Sequence, residues 1–104
     1  MKETKYIDWI KEGLNKFGGI ENWRFKCPKC GNIATVKDFM SIGKDSNTAA
    51  QNCIGRFIDG KGCNWAAYGL LGTLDKGRII LMEDGNKINV FEFDEVDIYG
   101  NERK

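Results

Sequence analysis

Tyr6, Trp9, Ile10, Leu14 and Phe17 recur at helical spacing, with Lys5, Asp8, Lys11, Glu12 and Lys16 filling the surface between them. An apolar stripe of that period predicts a helix over residues 4–17, stopped by Gly18-Gly19. The stripe reads as a core face rather than a partner-binding one, because a small domain needs every amphipathic face for its interior. Trp23-Arg24-Phe25-Lys26 alternates with period two, predicting a strand that enters Cys27, with Ile33–Val36 as its partner. Lys37–Ile42 reads as the start of a short helix and Gly43–Thr48 as a polar loop. Ala49–Ile54 is expected to be a strand leading to Cys53. Asp59-Gly60-Lys61-Gly62 is a turn, and Asn64–Leu71 a further strand made irregular by Gly69. A hairpin is predicted over 78–93. Arg78–Met82 is its first arm and Asp84-Gly85-Asn86 its turn. Lys87–Phe93 is the second arm, with Ile88, Val90 and either Phe91 or Phe93 inward. Residues 99–104 read as a frayed tail.

The cysteines change this picture from a pattern of elements to a site. Cys27 and Cys30 stand in Cys27-Pro28-Lys29-Cys30-Gly31, where two intervening residues let both sulfurs grip one ion from a tight turn. Cys53 and Cys63 follow, separated by nine residues, a looser second pair. Zn²⁺ suits four thiolates, and a closed four-sulfur shell is structural rather than catalytic. A redox-active Cys27–Cys30 pair, two disulfides or an iron site are the competing readings. A redox pair normally opens a helix in a βαβ unit, whereas this one lies between strands. The predicted fold is therefore α+β. The N-terminal helix packs on a zinc-ribbon-like antiparallel sheet, with a C-terminal hairpin, in one domain spanning 1–104 with its ribbon-like core at 23–71.

Length and composition add exclusions. The 104 residues contain twelve aromatics and one proline, which is not the composition of a disordered chain. No eighteen-residue apolar run and no apolar leader is present, so a cytoplasmic protein without a membrane segment is expected. No histidine occurs, which removes the commonest general base, and no Walker-type phosphate loop is present. The expectation is a protein that is not an enzyme. Residues 25–77 carry seven basic and four acidic side chains, and residues 78–104 four basic and seven acidic. Lys26, Lys29, Arg56 and Lys61 would offset the net −2 of a zinc tetrathiolate. Alternatively Arg24, Lys26, Lys29, Arg56 and Lys61, interleaved with Trp23, Phe25 and Phe57, contact a single-stranded nucleic acid. Burial in the core is the more common fate of such aromatics in a small domain.

Two resemblances follow from these motifs. Cys27-Pro28-Lys29-Cys30-Gly31, with Cys53 and Gly62-Cys63-Asn64-Trp65, resembles the zinc ribbons of bacterial topoisomerase tails, which implies contact with single-stranded DNA. The full order is also similar to a family of small phage-encoded accessory proteins. It runs from Phe17-Gly18 and Trp23 to Gly31, through Cys53-Ile54-Gly55-Arg56 and Cys63-Asn64-Trp65, to Gly69-Leu70 and Phe91-Glu92-Phe93. That family includes a zinc-bearing anti-CRISPR that inhibits Cas9. This resemblance implies an inhibitor that binds a host effector, Cas9 or its guide complex, and blocks the loading of target DNA, with the single-stranded nucleic-acid module as the alternative. The acidic residues Glu83, Asp84, Glu92, Asp94, Glu95 and Asp97 would then face a basic groove that holds target DNA. For those residues, solubility is the alternative role.

Overall fold

The computed structural model describes residues 2–68, 73–74 and 76–94. Strand β1 (Lys2–Lys5) runs directly into helix α1 (Tyr6–Phe17). Strands β2 (Arg24–Lys26) and β3 (Ile33–Thr35) flank the first cysteine pair, followed by helices α2 (Val36–Met40) and α3 (Ser46–Gln51). The chain ends its described course in β4 (Arg78–Leu81), β5 (Lys87–Val90) and β6 (Glu92–Phe93). The α+β class is as expected, and it is built from two three-stranded sheets, ordered β1-β4-β5 and β3-β2-β6. Among the described residues no helix is long and apolar enough to cross a membrane.

Four local expectations are corrected. The helix starts at Tyr6 rather than residue 4, because Lys2–Lys5 is taken up in parallel pairing with Arg78–Leu81. Residues 49–51, expected to be strand, lie in α3. Asp45 caps that helix by accepting the Thr48 N–H at 2.9 Å and its hydroxyl at 2.8 Å, and the two alanines favour the helix. The strand expected over 64–71 is reduced to a single bridge, Asn52 to Ala66, and residues 69–71 lie outside the described set. The hairpin over 78–93 is real for β4 and β5, but Phe91 breaks the alternation and β6 leaves to pair with β2. Phe91 and Phe93 are consequently buried together with Val90, whereas strict alternation would put both on the face opposite Val90. The expected tail at 99–104 lies outside the described residues.

The core explains why the two sheets hold together. Trp9 from α1, Trp23 and Phe25 from the β2 segment and Phe93 from β6 form one ring cluster. Trp9 and Phe25 stack on Phe93 at 5.9 and 5.3 Å between centroids, and Trp23 meets Trp9 and Phe93 edge-on at 5.5 Å each. Offset and edge-on contacts of this kind add about 0.5–1.5 kcal/mol each beyond area burial. Arg78 of β4 spans the seam between the sheets. Its guanidinium is bidentate to Glu12 of α1 at 2.8 and 2.9 Å, and its Nε donates to Glu92 of β6 at 3.0 Å. Thr35 and Asp38 form a capping box that starts α2, each side chain accepting the other's backbone N–H, at 3.0 and 2.9 Å.

Candidate metal centre

The first knuckle is shaped by its own backbone. The Gly31 N–H donates to the Cys27 carbonyl at 3.0 Å, and the Cys27 N–H to the Asn32 carbonyl at 2.9 Å. Gly31 sits at φ 79°, a conformation that glycine adopts without strain. The turn leaves the Asn32 N–H pointing at Cys30 Sγ, 3.4 Å away. The second pair reaches the same place despite its nine-residue insert. The Cys53 N–H donates to the Trp65 carbonyl at 3.0 Å and so pins the two ends of the insert together. The Cys63 N–H then reaches Cys53 Sγ at 3.3 Å, and the Trp65 N–H reaches Cys63 Sγ at 3.4 Å. Gly62 makes this closure possible. Its φ is 151°, and a methyl group there would stand 2.6 Å from Cys53 Sγ.

All four sulfurs lie within 4.8 Å of one another. Cys27 and Cys63 are 3.6 Å apart and Cys30 and Cys53 3.7 Å, well beyond a disulfide bond, and all four thiols are free. A tetrahedron with metal–sulfur bonds of about 2.3 Å has edges of about 3.8 Å. The donor set and its spacing therefore fit a four-thiolate metal site. Burial pushes the Cys27 thiol up to about 12, against the pull of the Cys30 and Lys29 N–H groups. Burial likewise raises Cys53, against the N–H groups of Gly55 and Cys63. At the exposed Cys30 burial acts in the same sense, but the Asn32 N–H and the neighbouring thiols outweigh it and the thiol lies below its ordinary value. Two buried thiols that resist ionisation, ringed by N–H groups aimed at sulfur, are a site that a cation completes.

The other residues singled out from the sequence are placed as follows. Trp23 and Phe25 are core residues. Arg24 pairs with the buried Asp94 at 2.9 Å. Lys26, Lys29 and Lys61 are exposed around the cysteines. Arg56 donates to the Asn52 side chain at 2.5 Å and lies over the Tyr68 ring at 5.6 Å, and Asn52 also donates to the Tyr68 hydroxyl. Arg56 thus braces the loop and keeps an exposed face. Of the acidic residues, Glu92 is held by Arg78. Glu83 and Asp84 are exposed at the β4–β5 turn, where Asp84 accepts the Asn86 N–H at 3.0 Å. Glu95 and Asp97 lie outside the described residues.

The sequence reading missed three other features. Lys29 Nζ lies 5.4 Å from the Trp65 ring centre and Lys44 Nζ 4.8 Å from that of Phe57. Lys76 reaches the first knuckle, its Nζ donating to the Pro28 carbonyl at 3.4 Å. Trp65 was visible in Cys63-Asn64-Trp65 and Phe57 as the neighbour of Arg56, but neither motif says which lysine lies over the ring. Lys76 had no such signal, lying 48 residues from its partner.

Residues 5–94 match the profile of the VVA0879-like family, and the chain belongs to that family. No curated protein and no solved structure matches it.

Proposed function

We propose that this VVA0879-like protein is a non-catalytic binding module, closed by a structural Zn²⁺ on Cys27, Cys30, Cys53 and Cys63, that engages single-stranded nucleic acid. One observation carries the choice of ligand. At three places a cation lies over an aromatic ring: Lys29 on Trp65, Lys44 on Phe57 and Arg56 on Tyr68. Tyr68 is 62% exposed and Phe57 39%. Rings of this kind take unstacked bases while the adjacent cations meet phosphate, without sequence preference. A four-thiolate shell leaves no open position for water or substrate, which supports binding rather than catalysis. The test is fluorescence anisotropy with a labelled oligothymidylate. The zinc-loaded protein binds it, affinity falls with salt, and Tyr68→Ala weakens it by at least about fivefold. No binding at low salt overturns the reading.

A second reading is inhibition of a host effector, with Cas9 or its guide complex as the candidate the motif order suggests. It is favoured by a different surface. The exposed Glu83 and Asp84 border a hollow of about 540 Å³ lined by Tyr6, Met82 and Ile88, an acidic rim around apolar side chains. Such a surface suits a basic protein partner. Titration of the protein into a Cas9–guide cleavage reaction decides it. Inhibition complete near one equivalent and insensitive to competitor DNA favours this reading, and uninhibited cleavage removes it.

A further inference from the structure

Against the first knuckle is a hollow of about 520 Å³ bordered by Lys26, Cys27, Lys29, Cys30, Lys76 and Glu92. We propose that this hollow binds the phosphate of a nucleotide, with Lys26, Lys29 and Lys76 as its cationic contacts. The proposal rests on the nucleic-acid reading above and adds the place where the backbone is held.

Three observations converge on it. First, the fold adds a remote cation to a local pair. Lys26 at the end of β2 and Lys29 inside the knuckle are near neighbours in sequence, and Lys76, from the segment before β4, is brought beside them. Second, the hydrogen bonds described for the sulfurs come from the backbone of Asn32, Cys63 and Trp65. Lys29 and Lys76 instead lie over the Trp65 ring and against the Pro28 carbonyl. A neutral carbonyl at 3.4 Å is a weak partner that an anionic oxygen displaces readily. Third, the one carboxylate on the rim among the described residues, Glu92, is held by the buried Arg78, which it shares with Glu12, and by the Phe93 N–H at 3.1 Å, so its charge is partly compensated from inside the fold. Lys29 belongs both to the hollow and to the Trp65 pair. A nucleotide whose phosphate meets the lysines therefore has an aromatic face beside it for the base. The volume suits a mononucleotide.

The probes are thymidine monophosphate, inorganic phosphate and the labelled oligothymidylate, each added to the zinc-loaded protein and followed by backbone amide shifts in NMR spectra. The expected result is that both thymidine ligands shift amides of residues 26–31 and 76–77. Lys76→Gln should weaken both by roughly tenfold, the loss of one charge-assisted contact. The same variant should leave the melting temperature and the zinc content unchanged, since Lys76 is exposed and lies outside the four ligands. Shifts from thymidine monophosphate without oligomer binding keep the hollow and overturn the strand-binding function. Oligomer binding that leaves residues 26–31 unshifted and ignores Lys76→Gln overturns the hollow and keeps the function. Equal response to inorganic phosphate and to the nucleotide restricts the site to phosphate and overturns the role given to the Trp65 face. Silence from every probe overturns both proposals.

Discussion

Replacing Glu12 by Gln should destabilise the protein by about 3 kcal/mol at neutral pH. The figure comes from the seam between the sheets. Arg78 is almost wholly buried, and Glu12 holds two of its N–H groups. The Arg78 hydrogen bond, aided by Lys16 and opposed by partial burial, brings the Glu12 carboxyl from 4.5 down to about 2. That difference between folded and unfolded chain corresponds to about 3 kcal/mol. An independent comparison agrees: breaking a buried ion pair from one side costs about 3–5 kcal/mol, and Glu12 is partly exposed, which places it at the lower end. The folded carboxyl has the lower value. The stabilisation is therefore complete above pH 4.5 and is lost as the pH falls through about 2. Urea denaturation of both chains at pH 7 measures the gap, and repeating it near pH 3 should show it shrunk to about 1.5 kcal/mol. Metal release in acid is common to both chains and drops out of the difference. A gap below about 0.5 kcal/mol at pH 7 would refute the reasoning, because it would mean that water serves the Arg78 guanidinium as well as Glu12 does.

Other outcomes follow from the same geometry. Co²⁺ loaded in place of zinc should give the visible bands of a tetrahedral tetrathiolate, and Cys53→Ser should change them; an octahedral spectrum would contradict the four-sulfur assignment. Chelation should lower the melting temperature sharply, because the ligands close long loops, and a melt unchanged after verified metal removal would show that the fold closes without it. Gly62→Ala should reduce metal affinity by roughly tenfold or more in competition with a chromogenic chelator, since its methyl group would crowd Cys53 Sγ. Trp23→Ala should cost about 3–5 kcal/mol in urea denaturation, as a fully buried ring that meets Trp9 and Phe93 edge-on is removed; a loss under about 1 kcal/mol would mean the cluster repacks.

Some of this was written locally and some was not. The body of α1, the short helix α2 and the β4–β5 turn at Asp84-Gly85 are set by residues within a few positions of one another, so periodicity and turn chemistry find them, though not the Thr35 cap or the start at Tyr6. The four cysteines were legible because ligand spacing is a chemical constraint that survives ignorance of the fold. β1 was not legible: Lys2–Lys5 carries no apolar pattern, and it is a strand only because Arg78–Leu81 pairs with it. α3 was misread because Ala49–Ile54 is short and mixes apolar residues with Gln51 and Asn52 in no clear period, which fits strand and helix alike until the Asp45 cap is known. The acidic end misled in a different way. Asp94 and Glu92 look like solvent-facing charge in the sequence, yet each neutralises an arginine, Arg24 and Arg78, whose position depends on remote pairing. Charge read along a chain says how many ions there are and not which of them are already matched.

The parallel pairing of β1 with β4 bears on the order in which a growing chain can fold. Both sheets wait for residues 78–93: β4 receives β1, and β6 completes the sheet begun by β2 and β3. All four cysteines precede that stretch. On the ribosome the metal centre can therefore assemble first, while Trp9, Trp23 and Phe25 still lack Phe93 and Arg78. Closing the metal loops early shortens the search for the late, distant strand contacts. It also leaves an interval in which a metal-bound chain exposes its aromatic core, and in that interval metal-starved chains have the most to lose to aggregation.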